Sequence, residues 1–377
     1  MLLEPRLGWS RVILAKIEDR KAEHIRICME KNVQARMTKT GFEDISFIHR
    51  ALPEISLEDI NTSMEFFGHR LEAPIVIEAI TGGTEDAFKI NAALSEAAES
   101  LGLAMGVGSQ RAALEKSKLS STFQVVRKKA PHAFIIGNIG APQIVGRSDI
   151  SEIKKAIEMV DADALAIHLN PLQESIQPEG NTSFKGVLER IEKITSALTI
   201  PIIVKETGAG ISFQDAQLLE KVGVKGIDVS GAGGTSWAAV EYYRSEIHGN
   251  LVNKRLGETF WDWGIPTAVS VIEVRAATKI IVIASGGIRT GIEVAKAVSL
   301  GAEASGLASP LLKQAVEGNV EEELQVLIRE FKTAMFLVGA NSIEALKRKS
   351  LVITGKTAEW LRNRGFRPEE YAYRGED

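Results

Sequence analysis

The chain has 377 residues, of which 45% are hydrophobic and 25% charged, a balance that sustains a buried core and excludes a disordered, charge-rich polymer. With 45 Lys and Arg against 49 Asp and Glu, the formal net charge of −4 gives no reason to expect nucleic acid or an anionic membrane as a partner. One cysteine, Cys28, can neither close an internal disulfide nor build a thiolate metal site, which fits a reducing, cytoplasmic setting. The opening stretch MLLEPRLGWSRVILAKIEDRK lacks a long apolar core followed by a small-residue cleavage site, and no later run reaches the roughly 18 uncharged residues of a membrane span.

In chain order, the segment from Arg20 to Met37 is predicted helical, and FEDISFIHRALPEI reads as irregular with short strands. From residue 73 onward, apolar runs of strand length alternate with amphipathic stretches of helical length, the pattern of parallel strands joined by crossover helices. Eight such runs occur, at 73–83, 103–109, 133–141, 164–170, 200–208, 226–231, 279–288 and 302–310. Eight β-α units suit an α/β TIM (β/α)8 barrel, whose usual size is ~250 residues. A doubly wound open sheet is the other reading, but no GxGxxG follows the first strand. The expected organisation is an N-terminal segment over 1–72, a barrel over 73–345 with an irregular insertion at 232–264 after strand six, and a C-terminal tail over 346–377 packed on the barrel.

Chemistry gathers at the strand ends. In the fourth run, Leu165, Ile167 and Leu169 alternate with Ala164, Ala166, His168 and Asn170, so one face packs on helices while the other leads from small residues to a polar pair at the C-terminal rim. Pro171 ends the strand, and Gln173 and Glu174 follow at once. Strand three delivers Asn138, strand five Lys205, and strand six Asp228 and Ser230. A lysine in an apolar run must meet an anion or lose its charge. Lys205 could therefore be a Schiff-base nucleophile, a flavin or phosphate partner, or a rim residue reaching for water. Loops after strands seven and eight, ASGGIRTG and GLASP, each lead glycines into a helix start, the place where TIM barrels commonly hold phosphate. Arg289 strengthens that reading, since a tight turn has no use for a guanidinium. Glu78, inside the first apolar run, needs a partner that the sequence does not name.

The motifs RKAEHI (20–25), ITGG (80–83), GSQR (108–111), HLNPLQESIQPEG (168–180), KETGAG (205–210), GAGGTSW (231–237) and SGGIRTG (285–291), met in this order, resemble the type 2 isopentenyl diphosphate isomerases. The likeness runs from residue 20 to residue 345. It departs from the family's pattern at Ile80, where Met is usual, and in the nineteen residues before RKAEHI. The resemblance implies an FMN-containing TIM barrel that interconverts isopentenyl and dimethylallyl diphosphate, requires Mg²⁺, and needs reduced flavin, with NAD(P)H as reductant. Matched by motif, FMN would meet Ala79, Ile80, Thr81, Ser109, Asn138, Lys205, Ser230, Thr235, Gly287, Ile288, Arg289, Ala308 and Ser309. The diphosphate substrate would meet Arg20, Lys21, His24, Ser109, Gln110, Arg111 and Gln173, the metal would meet Glu174, and Gln173, His168 and Asn170 would serve the chemistry. A homo-oligomer, tetramer or octamer, is implied as well. An FMN oxidoreductase of the 2-hydroxyacid oxidase type is the alternative, since it shares the barrel and the phosphate loops.

Overall fold

The eight apolar runs form a closed parallel barrel in the computed structural model, which describes residues 20–145 and 150–374. In chain order the strands are β1 (Ile75–Ile77), β2 (Ala104–Gly106), β3 (Ile135–Gly140), β4 (Ala164–His168), β5 (Ile202–Lys205), β6 (Gly226–Asp228), β7 (Ile281–Ser285) and β8 (Ala304–Leu307). Pairing of β8 with β1 closes the ring. The TIM barrel expected from the periodicity is therefore the observed architecture.

Alternation along the strands separates two cores. Leu165 and Ile167 join the large cluster between barrel and helices, while Ala164 and Ala166 face the barrel axis with Val76, Ile136, Ile203 and Ile283. Helices between strands begin and end where their chemistry dictates. The first crossover helix, Glu85–Leu101, has Thr84 as its N-cap, whose side chain accepts from the Ala87 N–H, and it stops at Gly102 in the left-handed region.

The N-terminal end of the barrel is closed by a hairpin of Met64–Phe66 with His69–Leu71. Phe66 and Phe67 from this hairpin pack against Phe134, with ring centroids 5.2 and 5.9 Å away. Gly226 makes room for them, because a Cβ there would lie 2.7 Å from the Phe67 ring.

Three expectations need correction. The segment from Arg20 is helical only as far as Glu30, because the backbone beyond it pairs over the barrel mouth instead. Ala35 N–H donates to Gly234, and Ser236 N–H to Val33. The insertion at 232–264 is not irregular, since it contains two mutually packed helices, Trp237–Ile247 and Leu251–Thr259, capped by Ser236 and Asn250. Beyond 346 the chain forms more than a tail. Leu351–Ile353 pairs antiparallel with Ile45–Phe47, and the helix Gly355–Asn363 follows. The nineteen residues before RKAEHI lie outside the described residues. Among the described residues no helix is long and apolar enough to cross a membrane.

Candidate functional site

Strand register brings the rim residues of β4, β5 and β6 into one row, since His168 pairs with Lys205 and Lys205 with Asp228. Their side chains face the axis just above the apolar interior, and those of His168 and Lys205 line a cavity at the C-terminal mouth. Lys205 Nζ lies 3.3 Å from an Asp228 carboxylate oxygen and 3.6 Å from Glu78, and it donates to the Glu206 carbonyl at 2.9 Å. Burial alone would lower the lysine, but Asp228 and Glu78 outweigh it and hold the ammonium above its ordinary range. Glu78 thus finds its partners within the barrel, from β5 and β6.

His168 is fixed by a chain of hydrogen bonds with one possible polarity. Asn138 Nδ2 donates to the Val107 carbonyl at 3.0 Å, so its Oδ1, 2.8 Å from His168 Nδ1, must accept. Burial, then the charges of Lys205 and Lys21, push the imidazole down to about 3. His168 is therefore neutral, with its Nε2 lone pair available to a donor.

Beyond β4, the short helix Pro171–Ile176 presents Gln173 and Glu174. Asn170 Nδ2 donates to Gln173 Oε1 and Glu174 Oε1, both at 3.1 Å, and Gln173 Nε2 reaches Glu241 at 3.4 Å. Glu241 also meets His24 at 2.9 Å and Arg244 at 2.8 Å. Burial would raise the Glu241 carboxyl, yet His24 and Arg244 prevail and hold it down to about 2. One polar path thus runs from the N-terminal helix through the insertion to Glu174.

The adjoining wall is cationic. Lys21 donates to the carbonyls of Gly82 and Ser109 at 2.6 and 2.9 Å, while Arg20, Ser109 and Arg111 face the cavity nearby. Burial together with Arg20 and Arg111 pushes Lys21 down to about 7. Desolvation and repulsion of this kind mark a place that gains from an incoming anion.

Across the mouth, Ser285 to Arg289 turn closely over the loop after β6. A Cβ on Gly286 would lie 2.2 Å from the Gly231 carbonyl, at φ +99°, so only glycine fits there. Arg289 donates to Gln34 at 2.6 Å, and the helices Gly291–Leu300 and Ser309–Glu317 start at this rim. The first N–H groups of Gly291–Leu300 are taken by Glu293 and Glu330, so the helix start at Ser309 beside the Arg289 guanidinium is the part of this rim suited to a phosphate.

Of the residues singled out from sequence, Ala79, Ile80, Thr81, Asn138, Ser230, Thr235, Gly287, Ile288, Ala308 and Ser309 line this cavity along with those already placed. Gln110 does not, and that expectation is corrected. Its side chain is fully buried, donating to the Ala156 carbonyl at 2.7 Å and accepting from the Asn138 N–H at 2.9 Å, so it braces β3 from behind. Sequence reading missed Gln143, Gln177 and Ser285 on the wall, and the network of Glu241 with Arg244, Glu23 and Glu179. Glu241 lies one helical turn from Trp237, but nothing in WAAVEYYRSEI signals that its carboxylate turns inward.

Two polar atoms here lack partners. Asn170 Oδ1 and Arg20 Nε are buried without a hydrogen bond, as expected of groups that await a ligand. Among the described residues no group of three or more His, Cys, Asp or Glu side chains is arranged to hold a metal ion. Any cation at Glu174 would need oxygens from a ligand or water.

The family model for FMN-dependent dehydrogenases matches residues 15–134 and 149–353. The chain is 50% identical over 366 residues to the isopentenyl-diphosphate delta-isomerase of Methanosarcina barkeri, covering 97% of this chain and 100% of the relative. It is 51% identical to that of Methanothermobacter thermautotrophicus, over 95% and 99% of the two chains. For that of Pyrococcus furiosus the identity is 50%, over 92% and 89%. A solved structure of mandelate oxidase with (S)-2-phenylpropionate aligns at a TM-score of 0.59 with 19% identity, over 90% of this chain and 98% of that one, a likeness of fold.

Proposed function

As a member of the isopentenyl-diphosphate delta-isomerase family, within the FMN-dependent dehydrogenases, this chain, we propose, interconverts isopentenyl and dimethylallyl diphosphate by a 1,3-allylic proton shift at a reduced FMN seated in the barrel mouth. The observation that carries this reading is one cavity with two anion sites of different character. The cradle of Gly286, Gly287, Arg289 and the helix at Ser309 suits a cofactor phosphate, and the wall of Arg20, Lys21 and Arg111 suits a diphosphate. Lys205, between them, suits the electron-rich side of a planar ring.

The cofactor, when bound in its reduced form, supplies an electron-rich face and an exchangeable proton. The chain's own residues hold the substrate against it. Arg20, Lys21, His24, Ser109 and Arg111 fix the diphosphate; Lys21, already pushed down to about 7, regains its charge as the anion arrives. Glu174 holds Mg²⁺ together with diphosphate oxygens and water, helped by the free Asn170 Oδ1, since one carboxylate is how that ion is usually bound beside a phosphate. Gln173, oriented between Asn170 and Glu241, touches the alkene end. Neutral His168 accepts a hydrogen bond through Nε2. An allylic shift of an unactivated alkene passes through cationic character, which a dry cavity with fixed dipoles stabilises. NAD(P)H serves only to reduce the flavin, and the working form is a cytoplasmic homo-oligomer.

Anaerobic conversion of isopentenyl diphosphate with FMN and Mg²⁺, before and after flavin reduction, tests this reading. Dimethylallyl diphosphate forming only with reduced flavin supports it. A yellow protein that binds FMN yet forms no product sinks the isomerase assignment and turns attention to flavin oxidoreduction.

A further inference from the structure

Glu78 occupies the C-terminal end of β1 at 8% exposure, facing Lys205 at 9% and Asp228 at 2%. Two buried carboxylates against one ammonium cannot both keep their charge at low cost. Their hydrogen-bond partners decide which gives way. Asp228 accepts from the Ser285 hydroxyl, accepts from the Ser230 N–H at 3.3 Å, and has Lys205 Nζ at 3.3 Å. Glu78 is left with Nζ at 3.6 Å, the backbone N–H of Ala79 and, as a hydrogen bond only if one of the two is protonated, the Asp228 carboxylate. Asp228 is the better solvated anion. Burial first, then the Asp228 charge, push the Glu78 carboxyl up to about 8, against the pull of Lys205.

The remaining neighbours agree. Gly306 of β8 opens the space, since a Cβ there would lie 2.1 Å from Glu78 Oε1. His168 on β4 is held neutral, and Glu206 turns its carboxylate to the N–H groups of Thr207, Gly208 and Ala209. Lys205 spends one hydrogen on the Glu206 carbonyl and one on Asp228. An ionised Glu78 would claim the third.

We propose that Glu78 is a positioning residue that keeps a proton, hydrogen-bonds through it to the Asp228 carboxylate, and so leaves the third N–H of Lys205 free to meet an anionic group bound in the mouth. Its consequence for the cofactor rests on the FMN reading above. As pH rises through the Glu78 range, the proton leaves, the cluster passes from neutral to a single negative charge, and Lys205 turns back into the barrel.

Infrared spectroscopy of the purified full chain tests the proton directly. At about pH 7 the C=O stretch of protonated carboxylic acid is expected, fading toward about pH 9; Glu78→Gln should remove the Glu78 share and leave that of Glu206, whose carboxyl burial pushes up to about 7. A wild-type spectrum without that band, which needs no variant to fold, overturns the proposal, and so does a band that Glu78→Gln leaves undiminished. The positioning role is read from the affinity for reduced, anionic FMN, which should fall about tenfold between about pH 7 and about pH 9 in wild type and stay level in Glu78→Gln. An equal fall in both removes the role from Glu78. Failure to bind FMN at any pH overturns the cofactor reading instead, and the infrared band still decides the proton on Glu78.

Discussion

At the N-terminal end of the barrel Phe66, Phe67 and Phe134 meet with ring centroids 4.8 to 5.9 Å apart, whereas at the C-terminal end Lys205, Asp228 and Glu78 meet within 3.6 Å. The aromatic set comes from the closing hairpin and the residue before β3, the charged set from the rim of β1, β5 and β6, and the two cap opposite ends of the same interior. On β4 the change takes one alternation step, from Ala166 to His168. The aromatic end gains stability from apolar burial, and the charged end spends some of it to hold groups that are costly without a ligand. Substitutions at the two ends should therefore separate stability from binding.

The largest effect is expected at Lys205. Lys205→Met leaves Asp228 buried without its cation, so stability should drop by about 3–5 kcal/mol and FMN affinity by about 100-fold or more. Urea unfolding and flavin fluorescence quenching read the two losses. Adding Asp228→Asn should restore much of the stability and little of the flavin affinity. Restoration of both would mean that Lys205 acts through folding alone.

At the opposite end, Phe134→Ala should cost about 3–5 kcal/mol of stability through the cavity it leaves. Turnover per folded molecule should change less than about threefold, because the plug lies below the ring of charged residues. A large fall in kcat with little change in stability would break the separation of the two ends.

Much of this contrast is legible in the sequence, for a stated reason. Strand alternation is local, so the eight runs and the inward facing of Ala164, Ala166 and His168 follow from period two alone. Glycine-rich loops and Arg289 are visible by composition, and the structure brings them to the cavity mouth. The rest depends on distant contacts. Glu78 shows no partner until β5 and β6 come round the barrel to meet it. Gln110, one position from the cavity-lining Ser109, looks like a ligand contact until β3 takes one end of its amide and the helix Ser151–Val160 the other. The insertion reads as irregular because its helices pack half-buried Tyr242 and Tyr243 against Trp261 and carry Glu241 inward, so no clean amphipathic stripe results.

A third test uses acid, and its sign follows from Glu241. The folded carboxyl is held down to about 2 against an ordinary 4.5, so its contribution is complete above the ordinary value and is lost as pH falls toward 2. The wild type should exceed Glu241→Gln by about 2–3 kcal/mol near neutrality, with the gap closing between about pH 4.5 and about pH 2. Protease sensitivity of the 20–40 segment should rise in the same window, because His24 bonds to Glu241 and helps to dock that segment. A gap that persists undiminished in acid would assign the stabilisation to packing.

The smallest effect is expected at Gln110, and it sets the sequence expectation directly against the observed geometry. As a substrate contact, Gln110 would raise KM for isopentenyl diphosphate when shortened to Ala, with stability intact. As a brace, it leaves the Asn138 N–H without its acceptor and the Ala156 carbonyl without its donor, which should cost about 1–3 kcal/mol and leave KM within about twofold. Any fall in kcat should then accompany a displaced His168, since Asn138 also orients that imidazole. The buried amide thus acts on the charged end only through β3, and a KM increase without loss of stability would move it to the cavity wall.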